Sequence, residues 1–386
     1  MTTPASSATL ANWRQHPHSI WGFTHVEQLL TVATVKTGAA ASPLARATAL
    51  DLRTVRLDWE GRSMTADEVL AETFTDGFLL LQDGAVLAER YAPHQQPHDR
   101  HIIFSVSKSV TAALAAILAE QGLLDPDAPV TRYVPEATGS AYGDCTVRHV
   151  LDMTVSIRFI EDYLDPYGDV ARYRVAMGWN PLPPGMEAEG LHRFIARLPK
   201  AEHPHGERFH YVSPNTDMLG WIIERAAGET FASLLSRHIW QPMGMAQDAF
   251  MTLDGEGAAR TAGGLCVSLG DLARIGELMR GRGLFRGRRV LPEAFVTDIL
   301  EAGDRQAWIK GDLLHLFPEG RYRSQWYVPE ASSNVLCAIG IHGQWIYVDF
   351  ARRMVAVKQS SQPIPADDAI DQQTLALFRA LAQHLG

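Results

Sequence analysis

Two apolar runs flank Asp83-Gly84 in the stretch Phe78-Leu-Leu-Leu-Gln-Asp-Gly-Ala-Val-Leu-Ala-Glu-Arg-Tyr91. Asp-Gly accepts the positive φ of a two-residue turn, so residues 78–91 are predicted as a β-hairpin. An alanine-rich apolar run from Ser105 to Gln121 stops at Gly122 and predicts a buried helix. Between 125 and 255 prolines alternate with short amphipathic pieces. Helices are predicted there over 147–153, 191–198, 218–227 and 231–239, with no strand alternation. Beyond Gly263-Gly264 the pattern predicts a helix over 269–279 and strands over 335–341, 345–350 and 354–359. A closing amphipathic helix follows over 369–385. The first forty residues read as an irregular arm with one helix near 26–35.

This layout is α/β. The early strands need the late ones to complete a sheet, so residues 1–130 and 258–386 are expected to form one domain. Residues 131–257 are expected to form a helical insertion, the second wall of a cleft.

Composition narrows the functional classes. A net charge of −9 argues against a nucleic-acid partner. Cys145, Cys266 and Cys337 are too few and too scattered for a disulfide framework or a C-x-x-C metal pair. No run has the length of a membrane span, and the opening residues lack the basic and apolar regions of a secretory leader, so a cytoplasmic protein is expected. His16-Pro-His18 and His203-Pro-His205 lack the helical i, i+4 spacing of a zinc pair, and no metal or other cofactor is expected. The G-x-S-x-G elbow and the glycine-rich nucleotide loops are missing.

The chemistry centres on Ser105-Val-Ser-Lys108. The chain has five lysines, and only Lys108 follows a serine by three positions. That spacing puts a hydroxyl and an amine on one helix face. Serine needs a neighbouring base, and a lysine becomes one when burial lowers its pKa. The helix N-terminus adds N–H groups suited to developing negative charge. Tyr211, in Tyr-Val-Ser-Pro-Asn-Thr-Asp217, precedes a sharp helix start and can point a phenol into a cleft. Ser213 before Pro214 reads as an N-cap. In Gly340-Ile-His-Gly-Gln344 the glycines permit close backbone approach, which makes the Ile341 N–H a candidate second oxyanion donor beside that of Ser105. His342 is open to three readings: ligand, acid or structural residue.

The order of these three motifs resembles the serine β-lactamases and penicillin-binding proteins. Ser-Val-Ser-Lys-Ser, Leu151-Asp-Met, Glu161-Asp-Tyr-Leu-Asp-Pro166, Tyr-x-Ser-x-Asn-Thr-Asp217 and Gly-Ile-His-Gly-Gln344 are most similar to the class C-like branch. That branch holds carboxylesterases and 6-aminohexanoate-dimer hydrolases. The resemblance implies a β-lactamase/transpeptidase-like fold, an antiparallel sheet flanked by helices with an inserted, mostly helical domain. It implies that Ser105 is acylated, that Lys108 and Tyr211 shuttle its proton, and that the Ser105 and Ile341 amides form the oxyanion hole. Tyr163, Arg174, Ala262, Trp326 and His342 become substrate-facing residues. Ile-His-Gly replaces the Lys-Thr-Gly of β-lactamases, so the cation that would hold a β-lactam carboxylate is missing. A small ester or linear amide is therefore the expected substrate. β-Lactamase or DD-peptidase activity, or a non-catalytic ligand-binding role, stand as alternatives.

Overall fold

The computed structural model describes residues 7–39 and 41–386. Its main sheet has eight strands: β1 (Ala45–Arg46), β2 (Thr75–Gln82), β3 (Ala85–Tyr91), β4 (Arg321–Arg323), β5 (Trp326–Val328), β6 (Val335–Gly340), β7 (Gln344–Asp349) and β8 (Met354–Ser360). They lie in the order β4-β5-β6-β7-β8-β2-β3-β1. Distant parts of the chain therefore meet at the centre, where Leu80 of β2 faces Ala356 of β8. All pairings are antiparallel, as expected, except that of the two-residue edge strand β1 with β3, which is parallel. The β2–β3 turn has positive φ at both Asp83 and Gly84, as the hairpin requires.

The unbroken apolar run of β2 reflects burial on both faces. Leu79 and Leu81 enter one core with Val355 and Val357, while Phe78 and Leu80 enter the opposite core with Met354 and Ala356. Each of the larger side chains contributes about 1.5–3 kcal/mol by leaving water. Two long helices, α1 (Val106–Glu120) and α3 (Leu269–Arg280), pack on the first face, and a third, α2 (Pro214–Ala227), packs on α1. The closing helix α4 (Asp368–His384) covers the second, setting Phe378 against Trp345 and Tyr347.

Two expectations fail. Residues 26–35 are not a helix: Val26–Gln28 is a single 3-10 turn, and Val32–Val35 is a strand. It pairs with Ala249–Thr252, a strand inside the region expected to have none. The pieces are four residues long, too short for alternation to show. With Leu265–Val267 and His101–Ile102 they make a second, four-stranded sheet. This sheet holds the segment before Ser105 against the segment after Ala262. No helix among the described residues is long and apolar enough to cross a membrane.

Candidate active site

Helix α1 runs through the middle of the molecule, and even its polar residues Ser107, Lys108, Ser109 and Thr111 are buried. Local and long-range bonds satisfy them. Ser109 Oγ donates to the Gln325 carbonyl at 2.6 Å, and Ser107 Oγ accepts from the Leu265 amide at 3.2 Å. Ser105 is the N-cap and makes no capping bond, so its hydroxyl is free for other work. Phe104 just before it has φ +42°, an uncommon conformation for a bulky residue that turns the chain sharply into the helix.

One turn along, Lys108 Nζ lies 2.7 Å from Ser105 Oγ and donates to the Ala262 carbonyl at 2.9 Å. Burial is the main cause that brings the amine down to about 7. Glu161 and Asp217 oppose that shift and Arg260 adds to it. A neutral amine with one N–H committed to Ala262 keeps a lone pair for the serine proton. Ala262 is held in turn by Asp217 on α2. The Ala262 amide donates to Asp217 Oδ1 at 2.8 Å, and Arg260 Nη1 donates to Oδ2 at 2.6 Å. The Tyr173 hydroxyl donates to the same carboxylate. Asp217 is thus the buried support of the segment on which Lys108 rests.

Tyr211 stands over Lys108, whose Nζ is 5.1 Å from the ring centroid. Burial and then Glu161 push its phenol up, while the neighbouring Ser105 and Tyr327 side chains act the other way. The phenol stays protonated at neutral pH and can donate. Glu161 organises the wall beside it, accepting from the Ser213 amide at 3.0 Å and the Tyr163 hydroxyl at 2.9 Å. Ser213 does occupy the N-cap of α2, but its hydroxyl donates to Glu161 rather than to the helix.

Strand β6 ends at Gly340, where a Cβ would stand 2.6 Å from the Ile103 carbonyl and 3.1 Å from the Ser105 amide nitrogen. Only glycine lets the strand come this close to the helix start. The Ile341 and Ser105 amides have no backbone acceptor among the described residues. Ser105 and Ile341 border both a cleft of about 590 Å³ and a much narrower pocket of about 20 Å³. The wide cleft carries Tyr211 and Tyr327 with the apolar side chains of Ile160, Leu164, Leu313 and Leu316. The narrow pocket carries Arg14, Arg174, Arg260 and Ala262, and Tyr163 borders both.

Two expected substrate contacts lie elsewhere. His342 has φ +61° and is buried, packed on Phe23 and Phe104, with Nδ1 2.7 Å from the Gln362 carbonyl. Burial takes its ring down to about 3, so it is neutral and structural. Trp326 is fully buried in the core, and its strand neighbour Tyr327 borders the cleft instead. Strand alternation explains the exchange: one residue's difference puts a side chain on the opposite face. Sequence reading also missed Glu161 and Asp217 as supports, although both lie within the quoted motifs, and missed Arg14.

A hydroxyl with a buried amine behind it and a phenol beside it is the constellation of a serine hydrolase, here on a β-lactamase/transpeptidase-like fold. The chain belongs to the beta-lactamase family, whose model matches residues 68–380. It is 38% identical over 362 residues to a 6-aminohexanoate-dimer hydrolase of Paenarthrobacter ureafaciens, covering 94% of this chain and 90% of that protein. Esterase EstB of Burkholderia gladioli is 30% identical over 187 residues, 47% of this chain and 46% of that protein. A solved Bacillus anthracis structure, provisionally named a 6-aminohexanoate-dimer hydrolase, superposes with a TM-score of 0.91 at 24% identity. The match covers 100% of this chain and 99% of that one. At that identity the likeness shows the fold.

Proposed function

We propose that this chain is a carboxylesterase that also turns over linear amides, acting through an acyl-enzyme on Ser105. The observation that carries this reading is the 2.7 Å contact of Ser105 with a buried lysine whose pKa lies near 7. Neutral Lys108 takes the hydroxyl proton as Ser105 Oγ attacks the carbonyl carbon. The Ser105 and Ile341 amides stabilise the resulting oxyanion. The proton passes through the Lys108–Tyr211 pair to the departing oxygen or nitrogen, and water then releases the acid by the reverse route. Linear amides stand as a second substrate class because of the 38%-identical relative. A β-lactam is a poorer match, since His342 in the third motif is buried and neutral and offers no cation. We retain residues 131–257 as the second lobe beside the α/β part. Three free, buried cysteines suit a reducing compartment such as the cytoplasm.

The test is a hydrolysis panel of p-nitrophenyl butyrate, 6-aminohexanoate dimer and nitrocefin, run with Ser105→Ala as control. Ester turnover should fall by at least about 10³-fold in the variant. An undiminished rate in Ser105→Ala would overturn the assignment.

A further inference from the structure

The narrow pocket next to Ser105 holds more positive charge than its surroundings balance. Three guanidinium groups border it, those of Arg14, Arg174 and Arg260. Arg260 is matched by Asp217 in a buried ion pair. Glu161, the carboxylate on the pocket wall, is held by Ser213 and Tyr163. Arg14 and Arg174 form no ion pair with a carboxylate among the described residues. Three cations therefore face two anions, before any charge on Lys108 is counted.

Both unpaired arginines are held in place by neutral groups. Arg14 Nη1 donates to the Trp179 carbonyl at 2.8 Å, and its guanidinium lies 4.9 Å from the Trp13 ring centre. Arg174 Nη1 donates to the Tyr163 carbonyl at 3.2 Å. Burial and then Arg174 lower the pKa of Arg14, so the two cations feel one another across the pocket. Two fixed guanidinium groups that repel each other form a natural cradle for a carboxylate, which each can hold with charge-assisted hydrogen bonds.

The geometry also says which half of the substrate enters. The leaving group must receive its proton from the Lys108–Tyr211 pair, and Tyr211 borders the wide apolar cleft but not the narrow pocket. The leaving group therefore faces the wide cleft, and the acyl group faces the arginines. Resting on the serine-hydrolase reading above, we propose that the narrow pocket is an anion subsite for the acyl half. The preferred substrates are then half-esters and half-amides of short dicarboxylic acids. Ser105 Oγ bonds to the ester or amide carbon while the free carboxylate sits between Arg14 and Arg174. The C–O or C–N bond breaks, and the serine proton leaves with the alcohol or amine. Water then cleaves the acyl-serine to the dicarboxylic acid and regenerates the hydroxyl.

The test compares mono-4-nitrobenzyl succinate with 4-nitrobenzyl butanoate, two esters of similar length that differ in one terminal carboxylate. Released 4-nitrobenzyl alcohol is measured for both, together with labelling of Ser105 by a neutral fluorophosphonate. The wild-type enzyme should favour the half-succinate at least tenfold in kcat/KM. That ratio should fall at least fivefold in Arg174→Gln and in Arg14→Gln, and less in Arg174→Lys. The wild-type ratio needs no substitution, so it decides the matter even if a variant does not fold. Turnover of the butanoate ester with no preference for the half-succinate overturns the anion subsite and leaves the serine hydrolase standing. A ratio unchanged in both glutamine variants also overturns it. Turnover of neither ester, with Ser105 unlabelled, overturns the reading on which it rests.

Discussion

Lys108 is asked to be buried, uncharged and within reach of a serine. Its folded pKa near 7 lies below the ordinary lysine value, with burial the leading cause. Two consequences follow, with definite signs. The proposed mechanism needs the neutral amine, so kcat/KM for a neutral ester should rise with pH through an apparent pKa near 7 and level off above it. An acidic limb centred near 5 would point to a carboxylate instead. Stability moves the same way: between about 7 and 10.5 the unfolded chain binds the proton that the folded one lacks, so stability grows with pH across that window. Lys108→Met removes that burden, at the expense of the bonds to Ser105 and Ala262. Near pH 7 it should be more stable than wild type by about 1–3 kcal/mol in urea unfolding, and inactive, with the gain shrinking toward pH 10. A variant less stable than wild type at pH 7 would show that the buried amine is not the liability described.

At the scale of elements, the site is a meeting of the α1 N-terminus with the end of β6. Their separation is set by the missing side chain of Gly340. In Gly340→Ala the new methyl group would press on the Ile103 carbonyl and the Ser105 amide. The strand must then retreat and take the Ile341 amide with it. Loss of the proposed oxyanion donor corresponds to about 10²–10³ in kcat, and the overpacking to about 1–3 kcal/mol of stability. Steady-state kinetics and thermal unfolding together read both. A variant with wild-type kcat would remove Ile341 from the oxyanion hole. The contacts within one turn of helix were legible in sequence: Ser105 and Lys108 sit three apart, and any helix over them brings hydroxyl and amine together. Tyr211 and the glycine-flanked Ile341 were legible as motifs, though not their distances from Ser105. The face of a three-residue strand was not legible, because Trp326 and Tyr327 differ by one position and only the register with β6 decides which borders the cleft.

Across the whole molecule, the least legible feature is the N-terminal arm, because its partners Phe104, Trp179 and His342 are remote in sequence. Trp13 is fully buried, edge-on to Phe23 and Trp179, and its indole N–H donates to the Trp179 carbonyl at 3.2 Å. Phe23 continues the contact to Phe104 and His342, with ring centres 4.9 and 5.0 Å away. One aromatic chain thus links the arm to the residue before Ser105, to the third motif and to the helical wall that carries Arg174. No periodicity announces such a link, since it depends on shape at sites set by the rest of the fold. Trp13→Ala should cost about 3–5 kcal/mol in urea unfolding, the range for losing a buried aromatic. Its effect on catalysis should exceed that of a remote core cavity, because Phe104 with its positive φ is braced by the same cluster. At a temperature where the variant is fully folded, kcat/KM for a neutral ester should still fall at least tenfold, while Trp13→Phe, which keeps the ring packing, should recover most of it. A folded Trp13→Ala enzyme with wild-type kcat/KM would mean that the strained turn into α1 stands on its own sheet contacts and that the arm only adds stability.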